Sequence, residues 1–308
     1  MEGLSFTERT EPLAEQRTEP RIERIESALS AALERGSAQP TCPPRLAEAM
    51  HYAVFPGGAR VRPRLCLAVA EACGSEASGA AVAAATALEL LHCASLVHDD
   101  LPCFDDAAVR RGKPSVHRAM GEPLALLAGD ALIVLAFEVI AASGAEADRC
   151  LAPLLLTVSR AVGGPGGIVA GQAWECEPRV VLADYHRAKT AALFVAATEA
   201  GAIASGADPA DWHPLGERIG EAYQVADDLR DAAGSCEELG KPVGRDAVLG
   251  RPSAATELGI ARALRRMDEL VDGAIAAIPD CPGAGGLEDL IRHESRRLVP
   301  KHLARLVA

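Results

Sequence analysis

Apolar residues recur along this chain at the three-to-four-residue intervals of an amphipathic helix, and runs alternating at every second residue are nearly absent. Two segments carry the pattern most clearly, AAVAAATALELLHCASLVH over residues 80–98 and PLALLAGDALIVLAFEVIAA over 123–142. Both are rich in Ala and Leu, strong helix formers, and both run longer than strands do. Glycine and proline interrupt the pattern at 40–44, 55–58, 163–167, 207–214, 234–250 and 279–286, where turns are expected. Residues 1–20 are polar, contain Pro12 and Pro20, and predict a flexible tail. No repeat and no shift in composition divides the rest. Residues 21–308 are therefore expected to form one all-α domain, a single large helical bundle.

Composition sharpens the picture. With 308 residues, 49% of them hydrophobic, the chain can bury a substantial core. A formal net charge of -12 argues against nucleic acid or anionic lipid as a non-specific partner, because both demand a basic surface. Any phosphate must be held locally, by basic residues or by metal. Nine cysteines with no C-x-x-C pair suit free thiols in a reducing cytoplasm better than a disulfide framework or a zinc site. The N-terminus lacks a basic-then-apolar signal pattern, and the uncharged stretches 77–88 and 161–174 are too short to span a bilayer, so no transmembrane segment is expected.

The chemistry concentrates in LVHDDLPCFDDAAVRRGKPSVH, residues 96–117. Asp99, Asp100, Asp105 and Asp106 fall at the end of the 80–98 helix, which Pro102 should terminate. Carboxylates are unfavourable there because the helix dipole is negative at its C-terminus, and that cost implies a cation. If the helix continued, His92, Asp99 and Asp106 would share one face. A second cluster lies at Asp227, Asp228 and Asp231, where the i,i+4 pair Asp227 and Asp231 repel on one helix face. Each cluster is followed by bases, Arg110 and Arg111 in one case, Lys241 and Arg245 in the other. Oxygen-only donor sets without His or Cys favour Mg2+ over zinc, and Mg2+ characteristically bridges to substrate phosphate.

These motifs resemble a family. H-D-D-L-P-C-F-D-D-x-x-x-R-R-G-K-P at 98–114 and Y-Q-x-x-D-D-L-x-D at 223–231 look like the two aspartate-rich motifs of trans-isoprenyl diphosphate synthases. G-G-x-R-x-R-P at 57–63, L-H-x-x-S-L at 91–96, A-G-D-A-L at 128–132, G-Q-A at 171–173, K-T at 189–190 and G-K-P-x-G-x-D at 240–246 follow in the family's order. The likeness covers about residues 22–300, and the phrasing around 89–138 is most similar to bacterial geranylgeranyl diphosphate synthases of carotenoid and bacteriochlorophyll pathways. The resemblance implies the class I isoprenoid synthase fold, helices around a central cavity, in a cytoplasmic homodimer. It implies three Mg2+ ions on Asp99, Asp105 and Asp227, with Asp100, Asp228 and Asp231 in support. Arg110, Lys189 and Lys241 would hold an allylic diphosphate, with Thr190 and Gln224 nearby. Isopentenyl diphosphate would sit on Arg62, Arg111 and His92, with Arg60 close. The implied reaction is head-to-tail condensation of the two, without a protein nucleophile.

One position departs from the family pattern. Where G-G-K-R is usual, this chain has Gly57-Gly58-Ala59-Arg60, so a lysine expected on isopentenyl diphosphate is missing. Chain length is expected to be set one turn before Asp99, by Ala94 and Ser95, whose small side chains leave room for a twenty-carbon product. A farnesyl product, or a non-catalytic subunit of a heteromeric synthase, are the alternatives. Cyclase and head-to-head synthase signatures do not fit, since Asp231 and Ser235 follow Asp227 where a cyclase needs S/T and E. His98 and His117 read as helix-end hydrogen bonders, Trp174 and Glu175 as cavity supports. The stretch 292–305 either closes the diphosphate site or is a solvated end.

Overall fold

The computed structural model describes residues 6–38, 40–75, 78–143, 149–233 and 258–298. Helices α1 (Phe6–Ser37), α2 (Pro44–Val54), α3 (Val61–Ala72) and α4 (Gly79–Asp99) precede a short hairpin, β1 (Val109–Arg110) with β2 (Lys113–Pro114). Then come α5 (Val116–Met120), α6 (Glu122–Ala141), α7 (Leu151–Val162), α8 (Ile168–Trp174) and α9 (Leu182–His186). A π-helical turn, Arg187–Ala191, leads into α10 (Ala192–Ser205), followed by α11 (Pro209–Ala233). The final two described helices, here α12 (Ile260–Ala276) and α13 (Ala284–Leu298), complete the bundle.

Helix α4 forms the axis of the bundle, packed against α3, α6 and α10. Its start is set by Ser78, whose hydroxyl accepts from the Ala81 N–H at 3.2 Å. Ala84, Ala87, Leu88 and Leu91 are buried along it, and alanine at so many contact positions lets neighbouring helices approach closely. The 80–98 and 123–142 patterns thus correspond to α4 and α6. Both helices are long and apolar enough to cross a membrane by length and composition, although most of α4 is enclosed by the other helices. The uncharged runs that argue against a spanning segment are shorter than these helices, because the apolar stretch of each helix carries one or two charges that do not disqualify it by length and composition.

Two boundaries differ from expectation. Helix α1 starts at Phe6, so it covers most of the stretch read as a tail. Its later half is anchored by buried Ile25, Leu29, Ala32 and Leu33, and by Arg21 bonding Glu71 at 3.0 Å. Extending an anchored helix costs far less than nucleating one, and Glu, Arg, Gln and Leu favour it. The 207–214 break shrinks to its first two residues: Asp208 accepts from the Ala210 N–H at 2.9 Å, and α11 runs on through Pro214.

Candidate active site

A cavity of about 590 Å³ lies between the C-terminal end of α4 and the second half of α11. Asp99 and Asp105 line it from the first acidic motif, Asp227, Asp228 and Asp231 from the second. Arg60, Arg62, His92, Ser95, Arg110, Arg111, Lys189, Thr190 and Gln224 line it too, so nearly every residue singled out in the sequence converges on one space. Lys241 lies outside the described residues. Ala94 is buried in the core, away from the cavity wall.

Helix α4 ends at Asp99 and the chain folds back over its own last turn. The Asp105 N–H donates to the Asp99 carbonyl at 3.0 Å, and the Ala107 N–H to the Asp100 carbonyl at 3.2 Å. This return sets Asp105 beside Asp99. Asp106 does not continue the face of His92 and Asp99, because the helix has ended. It takes a left-handed backbone (φ 45°) and pairs with Arg118 at 2.8 Å. Asp100, expected among the metal set, instead turns inward. It is 2% exposed and accepts a forked bond from Arg110, whose Nε is 3.0 Å from Oδ1. Arg110 is thereby aimed along the cavity wall, 3.8 Å from Asp99. Burial, reinforced by Asp105, raises the Asp99 pKa despite Lys189 and Arg110.

The second motif repeats the arrangement. Asp227 is exposed toward the cavity, whereas Asp228 is 2% exposed and accepts from Gln224 Nε2 at 2.8 Å. That bond presents Gln224 Oε1 to the Thr190 hydroxyl, which donates to it. In each D-D pair, then, one carboxylate faces the cavity and its neighbour holds a second polar side chain in place. The turn carrying Lys189 and Thr190 is gripped between α8 and α11 at two glycines. A Cβ on Gly171 would stand 2.4 Å from Lys189 Cα, and one on Gly220 2.5 Å from Ala191 Cα. Lys189 bonds Glu175 and lies 3.6 Å from Asp99 Oδ1. Burial alone would lower its pKa, but Asp99, Tyr185 and Glu175 outweigh that and raise it, so it is cationic.

The basic wall is built from the Gly57–Arg60 turn and the first residues of α3. Arg60, expected near substrate, spends its charge within the protein. It donates to Glu26 at 2.7 Å, to Glu89 at 2.6 Å and to the Val54 carbonyl at 2.9 Å, from a left-handed backbone (φ 50°). The two glycines make room for guanidinium groups: a Cβ on Gly57 would be 2.1 Å from that of Arg60, and on Gly58 3.0 Å from that of Arg111. Arg62 lies over the Phe194 ring, 4.5 Å from its centre, and its buried Nε lacks a hydrogen-bond acceptor. Beside it, burial and then Arg62 and Arg111 hold the His92 pKa well below 6.5, so its imidazole is neutral. Lys113 ties the hairpin to the end of α2 through the carbonyls of Tyr52 (2.5 Å) and Phe55 (2.6 Å).

Arg230 lines the cavity without having been singled out, joined by Tyr223 from the second motif and Arg297 from the basic 292–305 stretch. Arg230 sits inside the second motif and donates to the Leu298 carbonyl at 2.8 Å, fastening the end of α13. A base within D-D-L-R-D was the available signal. Arg64 bonds buried Glu294 at 2.6 Å, so the 292–298 part of the basic stretch is a packed helix at the cavity, and 299–305 lie outside the described residues. His98 hydrogen-bonds the Leu126 carbonyl at 3.2 Å, and His117 the Ser115 hydroxyl at 3.1 Å.

The donor set suits a hard cation. Carboxylate oxygens of Asp99, Asp105, Asp227 and Asp231 face the cavity, and Asp99 Oδ1 is buried without a hydrogen-bond donor. Among the described residues no three His, Cys, Asp or Glu side chains enclose a metal by themselves. Mg2+ fits such a site, since it takes one or two carboxylates and fills its shell with water and substrate oxygens, whereas zinc demands three or four protein ligands.

An all-helical bundle around a cavity with two acidic rows and a basic wall defines the isoprenoid synthase class. The chain belongs to the polyprenyl synthetase family, whose pattern it matches over residues 43–279. It is 53% identical to a geranylgeranyl diphosphate synthase of Cereibacter sphaeroides across 92% of this chain and 98% of that protein. It is 52% identical to that of Rhodobacter capsulatus, across 90% and 95%. A Helicobacter pylori geranyltransferase solved with magnesium and isoprenyl diphosphate superposes with a TM-score of 0.73 at 28% identity, covering 90% of this chain and 98% of that one.

Proposed function

We propose that this enzyme is a Mg2+-dependent prenyltransferase that condenses isopentenyl diphosphate with an allylic diphosphate, releasing pyrophosphate and making geranylgeranyl diphosphate. The observation that carries the proposal is the convergence of both cavity-facing carboxylate rows with Arg110 and Lys189 on one space. Asp99, Asp105 and Asp227 would hold Mg2+, three ions by resemblance, with Asp231 adjoining. When bound, the metal supplies Lewis-acid stabilisation of the diphosphate leaving group. Arg110 and Lys189 hold that diphosphate from the other side, as preorganised charge where negative charge develops. Arg62, Arg111 and neutral His92 hold isopentenyl diphosphate so that its double bond reaches C1 of the allylic partner as the C1–O bond breaks. The proton lost from the product goes to the departing pyrophosphate. No protein nucleophile takes part.

The product length rests on the 52–53% identical relatives and on Ser95, a small residue at the cavity wall one turn before Asp99. A homodimer completes the reading, supported by exposed Leu126, Leu127 and Val134 on α6, an apolar face that a second copy would cover, and free thiols support a reducing cytoplasm as its place. Incubation of purified protein with Mg2+, labelled isopentenyl diphosphate and each allylic primer tests the activity. Twenty-carbon product that disappears with chelator is expected. Fifteen-carbon product alone would assign a farnesyl diphosphate synthase, and no product from any primer would overturn the reading.

A further inference from the structure

Lys189 stands between two carboxylates with different surroundings. Glu175 is fixed by several donors: the Lys189 ammonium, the Tyr185 hydroxyl at 2.8 Å and Gln172 Nε2 at 3.4 Å. Its side chain is 12% exposed and does not line the cavity, so it neither reaches substrate nor competes for a cation there. Asp99 does line the cavity, and its Oδ1 is buried with no hydrogen-bond donor although the Lys189 ammonium is only 3.6 Å away. Of its two anions in reach, the ammonium sits closer to the one held by further donors. Here that is Glu175, at the end of the short helix α8 that Gly171 presses against the turn bearing Lys189.

The geometry points to Glu175 as a positioning residue that holds Lys189 off Asp99 and so keeps the Asp99 carboxylate open to a divalent cation. If Glu175 loses its charge, Asp99 is the nearer anion left to the ammonium. A shift of less than an ångström would bring the two from 3.6 Å into charge-assisted hydrogen-bond contact near ~2.8 Å. The lysine would then occupy the oxygen meant for the metal. This inference rests on Asp99 being a Mg2+ ligand, and it assigns to the glutamate of G-Q-A-W-E a part in metal affinity without any metal contact.

The test is Mn2+ binding to the full-length protein, followed by the electron paramagnetic resonance signal of the free ion, with inorganic pyrophosphate present and absent. Wild type, Glu175→Gln, Glu175→Asp and the double variant Glu175→Gln with Lys189→Gln are compared after thermal melting confirms that each is folded. Glu175→Gln is expected to raise the Mn2+ dissociation constant by about tenfold or more, the scale on which one neighbouring opposite charge moves a carboxylate's equilibria. Glu175→Asp, which keeps the charge but draws it back, should fall between. With pyrophosphate absent, the double variant should return to within about threefold of wild type, since the competing ammonium is gone; with pyrophosphate present it should stay weaker, since Lys189 also holds the diphosphate. Unchanged affinity in Glu175→Gln, or a double variant as weak as the single one with pyrophosphate absent, would overturn the inference while leaving the metal reading intact. Wild type that binds no Mn2+ under either condition would remove the metal from Asp99 and the inference with it.

Discussion

The imidazole of His98 occupies the space where a side chain on Gly129 would stand: a Cβ there would lie 2.1 Å from His98 Nε2. The same nitrogen bonds the Leu126 carbonyl at 3.2 Å and approaches Asp130 at 3.7 Å, so the last turn of α4 is latched to α6 immediately before Asp99. The A-G-D motif thereby acquires a physical reason. Gly129→Ala should expel the ring, cost about 1–3 kcal/mol of stability by overpacking, and lower kcat by up to about a hundredfold through displacement of Asp99. Adding His98→Ala should recover most of the lost stability in urea melts. A double variant no more stable than Gly129→Ala alone would refute the steric account.

Arg60 is a structural cation. Its removal leaves Glu89, 2% exposed, without its partner. Arg60→Ala should therefore cost about 3–5 kcal/mol, as breaking a buried pair does. Denaturant unfolding measures this, and substrate KM in the surviving folded fraction should change little. A large rise in the KM for isopentenyl diphosphate with stability unchanged would return Arg60 to the binding set.

Ala59 stands exposed at the cavity beside Arg62, at the position where the family resemblance leads lysine to be expected. Ala59→Lys should add one charge-assisted hydrogen bond, about 1.5–3 kcal/mol, and lower the KM for isopentenyl diphosphate roughly tenfold or more. Initial rates at saturating allylic primer provide the check. An unchanged or higher KM would show that the wall is already complete.

The structure separates the two small residues before Asp99. Ser95 lines the cavity with its hydroxyl turned back to the His92 carbonyl at 2.8 Å, and Ala94 is 1% exposed in the core. Ser95→Phe should shorten the product toward farnesyl diphosphate in product chromatography. Ala94→Tyr should mainly destabilise, by about 1–3 kcal/mol. Undiminished twenty-carbon yield from Ser95→Phe would place the floor elsewhere.

Burial lowers the His186 pKa from 6.5 to about 4, and its buried Nε2 has no hydrogen-bond partner. Between these values the unfolded chain binds a proton that the folded chain refuses, so stability falls as pH drops through this window. Replacing His186 with Gln should flatten the dependence of the urea midpoint on pH between about 6.5 and 4, and an equal slope in both proteins would contradict this.

Helices α4 and α6 were legible because their apolar periodicity is long and uninterrupted, and the acidic rows because like charges at that density require a cation. The inward turn of Asp100 and Asp228 was within reach as well. Adjacent helical residues point about 100° apart, so the two aspartates of a pair could not face the cavity alike: Asp100 leaves its wall, and Asp228 stays in the wall but buried against Gln224. Arg60 was not legible. Its partners Glu26 and Glu89 are 34 and 29 residues away, and its positive φ has no marker in a non-glycine residue. The extension of α1 was hidden by its prolines, since what sustains that helix is anchoring of its later half on α3 and α4.

A crystal soaked with Mn2+ and a non-hydrolysable allylic thiodiphosphate, phased at the manganese edge, addresses the central assignment most directly. Anomalous peaks are expected within coordination distance of Asp99 and Asp105 and, across the diphosphate, of Asp227. Peaks confined to one row, or a ligand diphosphate bound with no metal beside either, would contradict it.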